Sequence, residues 1–439
     1  MKTNLAAAPA AALAVVVTIG ALAAPPAPLS LDDCVALAAK QHPALAAARA
    51  GVDAAQEAVG EARAPYYPQV DFDAGYHRWQ RRAFLPSDLA RAFPGGALPE
   101  LIGPLDDWNA GVVSRVTLYD FGARRAGLDA ARARHSAAEA DAAATQADVR
   151  LNAQSAFFGL AAAQDLQSVA QKNLERAGKH EQLAELRHKA GDVPQADVLR
   201  TQAGVADARL QLIDAESRVR IAQGRLNTAI GRGADEPVTI ATPASDPPPP
   251  GSDEIDNAVT RALARRPEIK SEEKRTDAAR AAVEAVRASR APTLRADGAF
   301  GWRDTEWLPD TKEWQAGVSV DLPIFDGGAR SRRLARSKAE LTREQAAYEN
   351  RRLEIRQEVW SAVSELKRAW TAIDANETSV KASEESLRVV CERYENGEAV
   401  VTDLLDTQTA LARAEAELAT ARWSYLAARA AFNRAVGNP

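Results

Sequence analysis

Gly397-Glu-Ala-Val-Val-Thr-Asp-Leu-Leu-Asp-Thr-Gln408 has a twin in the same chain, Gly191-Asp-Val-Pro-Gln-Ala-Asp-Val-Leu-Arg-Thr-Gln202. Gly, Asp, Leu, Thr and Gln recur at the same places. Each stretch ends one very long helical pattern and opens another. Glycine tolerates the positive φ that a chain needs where a helix stops and doubles back. The aspartate six residues on, Asp197 or Asp403, then falls at the start of the returning helix, where negative charge is favoured. Both stretches read as tips of long helical hairpins, in a chain built from two copies of one unit.

Working outward, the first helical hairpin occupies residues 123–230 and the second 329–436. The limb from about Ala123 to Ala190 has no strong breaker, and at ~1.5 Å per residue it would span ~100 Å. Val149, Ala156, Ala163, Ala170 and Ala177 recur every seven residues, with Ala153, Leu160, Gln167 and Leu174 between them. This is an a/d seam whose one polar member is Gln167. So much alanine means close helix approach and little area buried per residue, so each helix needs neighbours on more than one side. The return limb starts near Pro194, at a position where a missing N–H costs nothing. Its counterpart carries the stripe Leu404, Leu411, Leu418, Tyr425 and Phe432.

Upstream of each hairpin the period switches from helical to two. Val70, Phe72, Ala74 and Tyr76 alternate with Asp71, Asp73, Gly75 and His77, and Val112, Val116 and Leu118 share a face of the next segment. In the second copy Leu294, Ala296, Phe300 and Trp302 share a face, and Trp314, Ala316, Val318, Val320 and Leu322 alternate with Gln315, Gly317, Ser319 and Asp321. Alternation of this kind is a strand signal. It places β-hairpins at 68–119 and 292–323, each preceded by short helices, at 30–63 and 253–291. Ser30-Leu-Asp-Asp33 has the form of a capping box, and His42-Pro43 and Arg266-Pro267 break these helices. Pro68 and Pro292 are offset by 224 residues, whereas Arg124 and Arg330 are offset by 206. The first copy therefore holds 18 extra residues between its strands, within Gln80 to Asp107. The units are thus 24–230 and 253–439, joined by a Pro-rich linker at 231–252 that should be extended.

Residues 1–23 read as a signal peptide: Lys2, then an Ala/Val/Leu run ending in Ala21-Leu-Ala23. No lipidation cysteine follows it. Cys34 and Cys391 are the only cysteines and sit at unrelated places in the two copies, so no bridge between them is expected. Lys and Arg total 55 against 60 Asp and Glu, with both signs interspersed and a net charge of −5. That balance leaves no basic face for nucleic acid. No nucleophile elbow, phosphate loop or HExxH motif is present. The five histidines have no metal-ligand spacing, and His180 and His188 read as solvated. No enzyme activity, cofactor or metal is expected.

The fold class is mainly α with a small β part. Four amphipathic strands cannot close a barrel, since the smallest closed ones need ~8, and open edges in lipid are not viable. Either helices cover the sheet or several chains pool their strands. Here the chain resembles the TolC-type outer-membrane factors, the outer membrane efflux proteins. The resemblance rests on the duplication and on Tyr119-Asp-Phe-Gly-Ala-Arg124 with Phe325-Asp-Gly-Gly-Ala-Arg330. It rests also on the tips, Arg187-His-Lys-Ala-Gly-Asp-Val-Pro-Gln-Ala-Asp-Val198 and Arg393-Tyr-Glu-Asn-Gly-Glu-Ala-Val-Val-Thr-Asp-Leu404. It implies a homotrimer in the outer membrane of a Gram-negative bacterium, with a 12-stranded lipid-embedded β-barrel on a periplasmic α-helical barrel. It further implies a passive outlet of an efflux or type I secretion system, served by an inner-membrane pump and a periplasmic adaptor. A periplasmic adaptor and a pore-free structural coiled coil are the alternatives; the first expects one hairpin rather than two, the second no amphipathic strands.

The resemblance assigns Asp403 and Asp406 to a pore constriction, Tyr394 and Asp197 to the closed gate, and the tips at Gly191 and Gly397 to adaptor docking. The ordinary reading of Asp403 is a first-turn acid. Where the family has an arginine two residues past the tip glycine, this chain has Ala399. Arg200, the twin of Asp406, is a substitute cation to consider.

Overall fold

The computed structural model describes residues 28–80, 83–84, 101–102, 105–241, 249, 251, 254–307 and 309–438. The expected signal peptide and much of the linker lie outside the described residues. In chain order the elements are α1 (Leu31–Gln41), α2 (Pro43–Arg63), β1 (Gln69–Trp79), β2 (Ala83–Phe84), β3 (Leu101–Ile102), β4 (Leu105–Tyr119), α3 (Ala123–Ala190) and α4 (Gln195–Ala229). The second half gives α5 (Ile255–Arg265), α6 (Pro267–Ala288), β5 (Thr293–Asp304), β6 (Lys312–Asp321), α7 (Ala329–Glu395) and α8 (Val401–Ala435).

Local chemistry fixes the ends. Ser30 and Asp33 form a reciprocal capping box on α1. The His42 ring accepts the Ala44 N–H at 3.2 Å, and Pro43 and Pro267 open α2 and α6. At the strand-to-helix junctions the Asp120 carboxylate accepts the Arg124 N–H at 2.9 Å and its Nε at 2.8 Å. Asp326 accepts the Arg330 N–H at 3.0 Å. That shared capping explains why Asp and Arg recur four residues apart in both copies.

The long helices pack into four parallel columns. α4 packs along the tip half of α3, and α2 packs along its other half. The end of α4 meets the α1–α2 joint, where Gln41 Nε2 donates to the Ile230 carbonyl at 3.0 Å. α2 therefore prolongs α4. In the second repeat α8 ends against the α5–α6 joint, with Arg265 Nη1 donating to Asn438 Oδ1 at 2.8 Å, and α6 prolongs α8. The resulting order is α4 with α2, then α3, then α8 with α6, then α7. The main sheet has the matching order β1-β4-β5-β6. Each column thus carries one strand.

The sheet is antiparallel throughout. Its register brings Phe72, Val112, Phe300 and Trp314 into one row across all four strands, and Ala296 and Val318 into another. Phe72, Trp314 and Val318 are exposed, at 73%, 74% and 66%. The opposite face pairs Arg115 with Asp71 at 3.3 Å and Asn109 with Asp73 at 2.9 Å. Two details differ from the sequence expectation. β4 begins at Leu105, inside the segment read as loop, and β2 pairs with β3 beyond it. A β-bulge between Thr117 and Tyr119 makes Tyr119, rather than Leu118, the partner of Leu294. A bulge inserts one residue and reverses the alternation beyond it, so Leu118 leaves the apolar row.

The helical core is built on alanine. Ala153, Leu160, Ala163, Ala170 and Ala177 are buried along α3. The largest cluster sits where α1, α3, α4 and α8 meet, around Cys34, Phe157, Phe158, Leu226 and Trp423. The buried polar residue of the seam is Asn173, not Gln167, which is half-buried. Asn173 Nδ2 donates to Gln211 of α4 at 3.3 Å, and Gln408 Nε2 of α8 donates to Asn173 Oδ1 at 3.0 Å. Three columns thus share one polar node. Cys34 is buried, Cys391 is half-buried, and both are free.

Candidate functional site at the hairpin tips

Both tips turn on glycine: Gly191 at φ 88° and Gly397 at φ 82°. The N–H groups past the turn close back on the helix ends, Asp192 to the Arg187 carbonyl at 2.9 Å and Glu398 to the Arg393 carbonyl at 2.8 Å. A residue with a Cβ at such φ is strained, and proline cannot reach it. Pro194 lies just ahead of α4 as its N-cap rather than inside the first turn.

The two tips touch through Tyr394. It is buried in a cluster with Leu387, Val401, Leu404 and Leu411, against which Leu183 of the first hairpin packs. The Arg187 guanidinium lies 5.0 Å from the centre of its ring and donates to its backbone carbonyl. A Cβ on Gly397 would sit 3.4 Å from Arg187 Nη2, so this side chain also covers the second tip. The Tyr394 hydroxyl is buried without a hydrogen-bond partner. Burial pushes its phenol above the ordinary range; Arg187 opposes that shift and Asp197 adds to it.

Asp197 stands in the first turn of α4 and pairs with Arg200 at 3.5 Å on its own helix. Within one chain Arg200 thus pairs with its own helix. At the tips, the cation that reaches from the first hairpin to the second is Arg187. Sequence reasoning passed over it, although it is the twin of Arg393 and stands in the same quoted motif. Asp403 lies in the first turn of α8 and Asp406 one turn on, both exposed. Residues three apart share a helix face.

Above the tips, Arg176 of α3 grips Glu415 of α8 through both terminal nitrogens, at 3.0 and 2.5 Å. His180, read as solvated, is half-buried beside this pair, and burial together with Arg176 and Lys179 pushes its pKa down. His188 is exposed, with Nδ1 2.9 Å from the Val193 carbonyl. Among the described residues no group of three His, Cys, Asp or Glu could hold a metal, and no helix is long and apolar enough to cross a membrane.

A family model described as outer membrane efflux protein matches residues 35–232 and 258–438. The chain belongs to this family. Its two matched segments fall on the two repeats. Among curated relatives, Protein CyaE of Bordetella pertussis is 29% identical over 388 residues, 87% of this chain and 78% of its own length. Outer membrane protein TolC of Escherichia coli is 23% identical over 415 residues, 90% and 80% of the two chains. The solved structure of the outer membrane protein VceC from Vibrio cholerae shares the fold, with a TM-score of 0.78 at 20% identity, covering 93% of this chain and 96% of that one. As an outer membrane efflux protein, the chain is an efflux conduit of the Gram-negative outer membrane, its helical columns reaching into the periplasm. The adaptor and pore-free alternatives fall with this assignment.

Proposed function

We propose that three copies close into one passive channel, a 12-stranded barrel continued by a twelve-column tunnel, fed at the tips by a periplasmic adaptor and an inner-membrane pump. One observation carries this reading. Among the described residues, a single chain presents a four-stranded sheet with an exposed apolar face, whose edge strands, β1 and β6, lack an outer partner. In lipid every backbone group must be paired, and the columns below repeat the strand order. The open edges and open column flanks therefore need the same neighbours.

The exposed Asp403 and Asp406 of three copies would then set six carboxylates around the periplasmic entrance. Two like charges ~6 Å apart at an effective dielectric of ~20 repel by on the order of 2–3 kcal/mol. Bound cations relieve that repulsion, and rings of acidic side chains make pores cation-selective. Tyr394 and Asp197 line the closed state, Tyr394 held by Arg187 from the first hairpin in place of the arginine missing at Ala399 and Asp197 paired with Arg200. The glycine turns at Gly191 and Gly397 offer helix ends to the adaptor.

Single-channel recording in planar bilayers tests this reading. The parent should prefer cations and be blocked by polyvalent cations from the periplasmic side. The Asp403→Ala, Asp406→Ala double variant should lose most of that block while still forming trimers. Block as tight as in the parent would remove both carboxylates from the constriction and leave Asp403 a helix-start residue.

A further inference from the structure

The two helical hairpins meet along one face of α3. Asn173, Arg176, His180, Leu183 and Arg187 follow one another at alternating steps of three and four residues, which keeps them on one helix face. Four of them cross to the second hairpin: Asn173 to Gln408, Arg176 to Glu415, Leu183 to the cluster around Leu404, and Arg187 to Tyr394. Opposite them on α8, Leu404, Gln408, Leu411 and Glu415 recur at the same kind of spacing. His180 is the middle member of the α3 row. Its Nε2 is buried with no hydrogen-bond partner among the described residues, and so is Gln408 Oε1 across the seam.

The groups around this ring offer a proton no counter-charge within the seam. On α3, Arg176 lies one turn before His180, and Lys179 and Glu181 flank it in sequence; of these, the two cations act on the ring. On α8 the one ionised side chain in the facing row is Glu415, which Arg176 already holds through both terminal nitrogens. The buried residues of α4 at this level, Thr201 and Ala208, are uncharged, while Asp207 and Arg200 are exposed and Arg200 pairs with Asp197. On α7, Arg388 is taken by Glu385 and Glu392. His188, the other histidine near the tips, is exposed.

We infer that His180 is an acid-released latch: with a neutral ring the seam closes, and a proton on the ring parts the two hairpins at the tips. An imidazolium there stands one turn from Arg176, and like charges four residues apart on a helix repel. Within the row it gains a counter-ion only by drawing Glu415 away from Arg176, which breaks the pair that joins α3 to α8. Burial first, then Arg176 and Lys179, hold the ring below its ordinary pKa while the seam is closed. Once the hairpins part, the ring meets water and titrates near ~6.5. The parted form therefore binds the proton more readily. The closed seam is fully stable above ~6.5 and loses stability as pH falls below that value. At offset 206 the twins of Arg176 and His180 are Ala382 and Ser386, so α7 carries no second latch.

The latch rests on the channel reading, and two measurements keep them apart. Hydrogen exchange of the detergent-solubilised protein reads the seam, and planar-bilayer recording reads the pore. Both use the Asp403→Ala, Asp406→Ala background, which removes the entrance carboxylates as a source of acid response. Between about pH 7.5 and about pH 5.5, a range above the ~4 of ordinary carboxylates, amide opening at Arg176 to Arg187 and Leu404 to Glu415 should rise ~3- to 10-fold after correction for intrinsic exchange. The upper figure, about tenfold, is the ratio of charged to neutral imidazole one unit below ~6.5. Conductance should rise with it. His180→Gln, neutral at every pH, should abolish both rises, and His180→Arg, always charged, should show the parted seam already at about pH 7.5. An acid response that persists in His180→Gln, or none in the background protein, overturns the latch. Exchange that follows His180 while conductance stays level supports the latch and overturns the pore reading of the tips. Should His180→Gln fail to reach the membrane, the background protein decides. A rise confined to the two seam segments supports the latch, and a rise spread along the helices, or absent, overturns it.

Discussion

The two repeats share a backbone plan but join their columns with different chemistry. In the first, α4 meets α1 and α2 through a neutral bond from Gln41 to the Ile230 carbonyl, over an apolar cluster around Cys34 and Phe157. In the second, the joint is charged. Arg266, 3% exposed, binds Glu268 at 2.7 Å and also Glu358, and Arg434 binds Glu268 at 2.5 Å and Asp148 at 2.7 Å. The first joint lies in an outer column of the chain, the second in an inner one, flanked by α3 and α7. Duplication preserved the joint; in the second, α7 and α3 supply Glu358 and Asp148, the carboxylates that pair with its two arginines.

That contrast can be broken most directly at Arg266. Arg266→Met takes the most buried cation from Glu268 and Glu358, which keep Arg351 between them and, for Glu268, Arg434; with that partial compensation the loss should be about 2–3 kcal/mol, below the roughly 3–5 kcal/mol of a buried charge left alone. Gln41→Met removes one neutral bond and should cost about 0.5–1 kcal/mol. Denaturant unfolding of the detergent-solubilised protein compares them; equal losses would mean that the charged joint adds nothing.

The same contrast predicts a pH dependence. Burial pushes the Glu268 carboxyl up, but hydrogen bonds from Arg266 and Arg434 outweigh it and hold the group at about 2, against 4.5 ordinarily. A depressed acid stabilises the fold fully above its unfolded value and loses that contribution as pH falls toward its folded value. Stability should therefore drop by on the order of 3 kcal/mol between about pH 5 and pH 2. Glu268→Gln should flatten that part of the profile, and Gln41→Met should leave it unchanged.

The smallest effect separates the twin glutamines. Gln408 is buried against Asn173, whereas Gln202 is exposed on α4. Asn173→Ala should cost ~1 kcal/mol by removing the Oδ1 that Gln408 binds at 3.0 Å and leaving it the longer bond to the residue 173 carbonyl at 3.4 Å, and Gln202→Ala under ~0.5 kcal/mol in the detergent-separated chain. A larger loss for Gln202 in the intact assembly would place it at the boundary between copies.

Much of this architecture was legible in the sequence because it is periodic. Period-two alternation at Trp314 to Leu322, the heptads of α3 and the repeated tip glycines are local signals, and their recurrence at fixed offsets gave the duplication. What escaped depends on residues far apart in the chain. Arg187 meets Tyr394 only when the hairpins lie side by side. Arg266 read as the residue before a breaking proline, and nothing local shows that Glu358 and Arg434 converge on it and on Glu268. The bulge at Thr117 escaped for a related reason: it answers to β5, which lies across the repeat boundary.

The alanine seams have a consequence for the width of the tunnel. Packed helices stand 8–10 Å apart, the distance set by the side chains between them. In the proposed three-copy channel, twelve columns at ~9 Å would give a circumference of ~108 Å and an axis-to-axis diameter of ~34 Å; taking off one helix of ~10 Å would leave a clear bore of ~24 Å. Every additional ångström of spacing would widen that bore by ~4 Å, the twelvefold change in circumference divided by π. In that assembly the buried Ala153, Ala163, Ala170 and Ala177 would set the calibre of the shaft. Larger residues there would make a wider pipe.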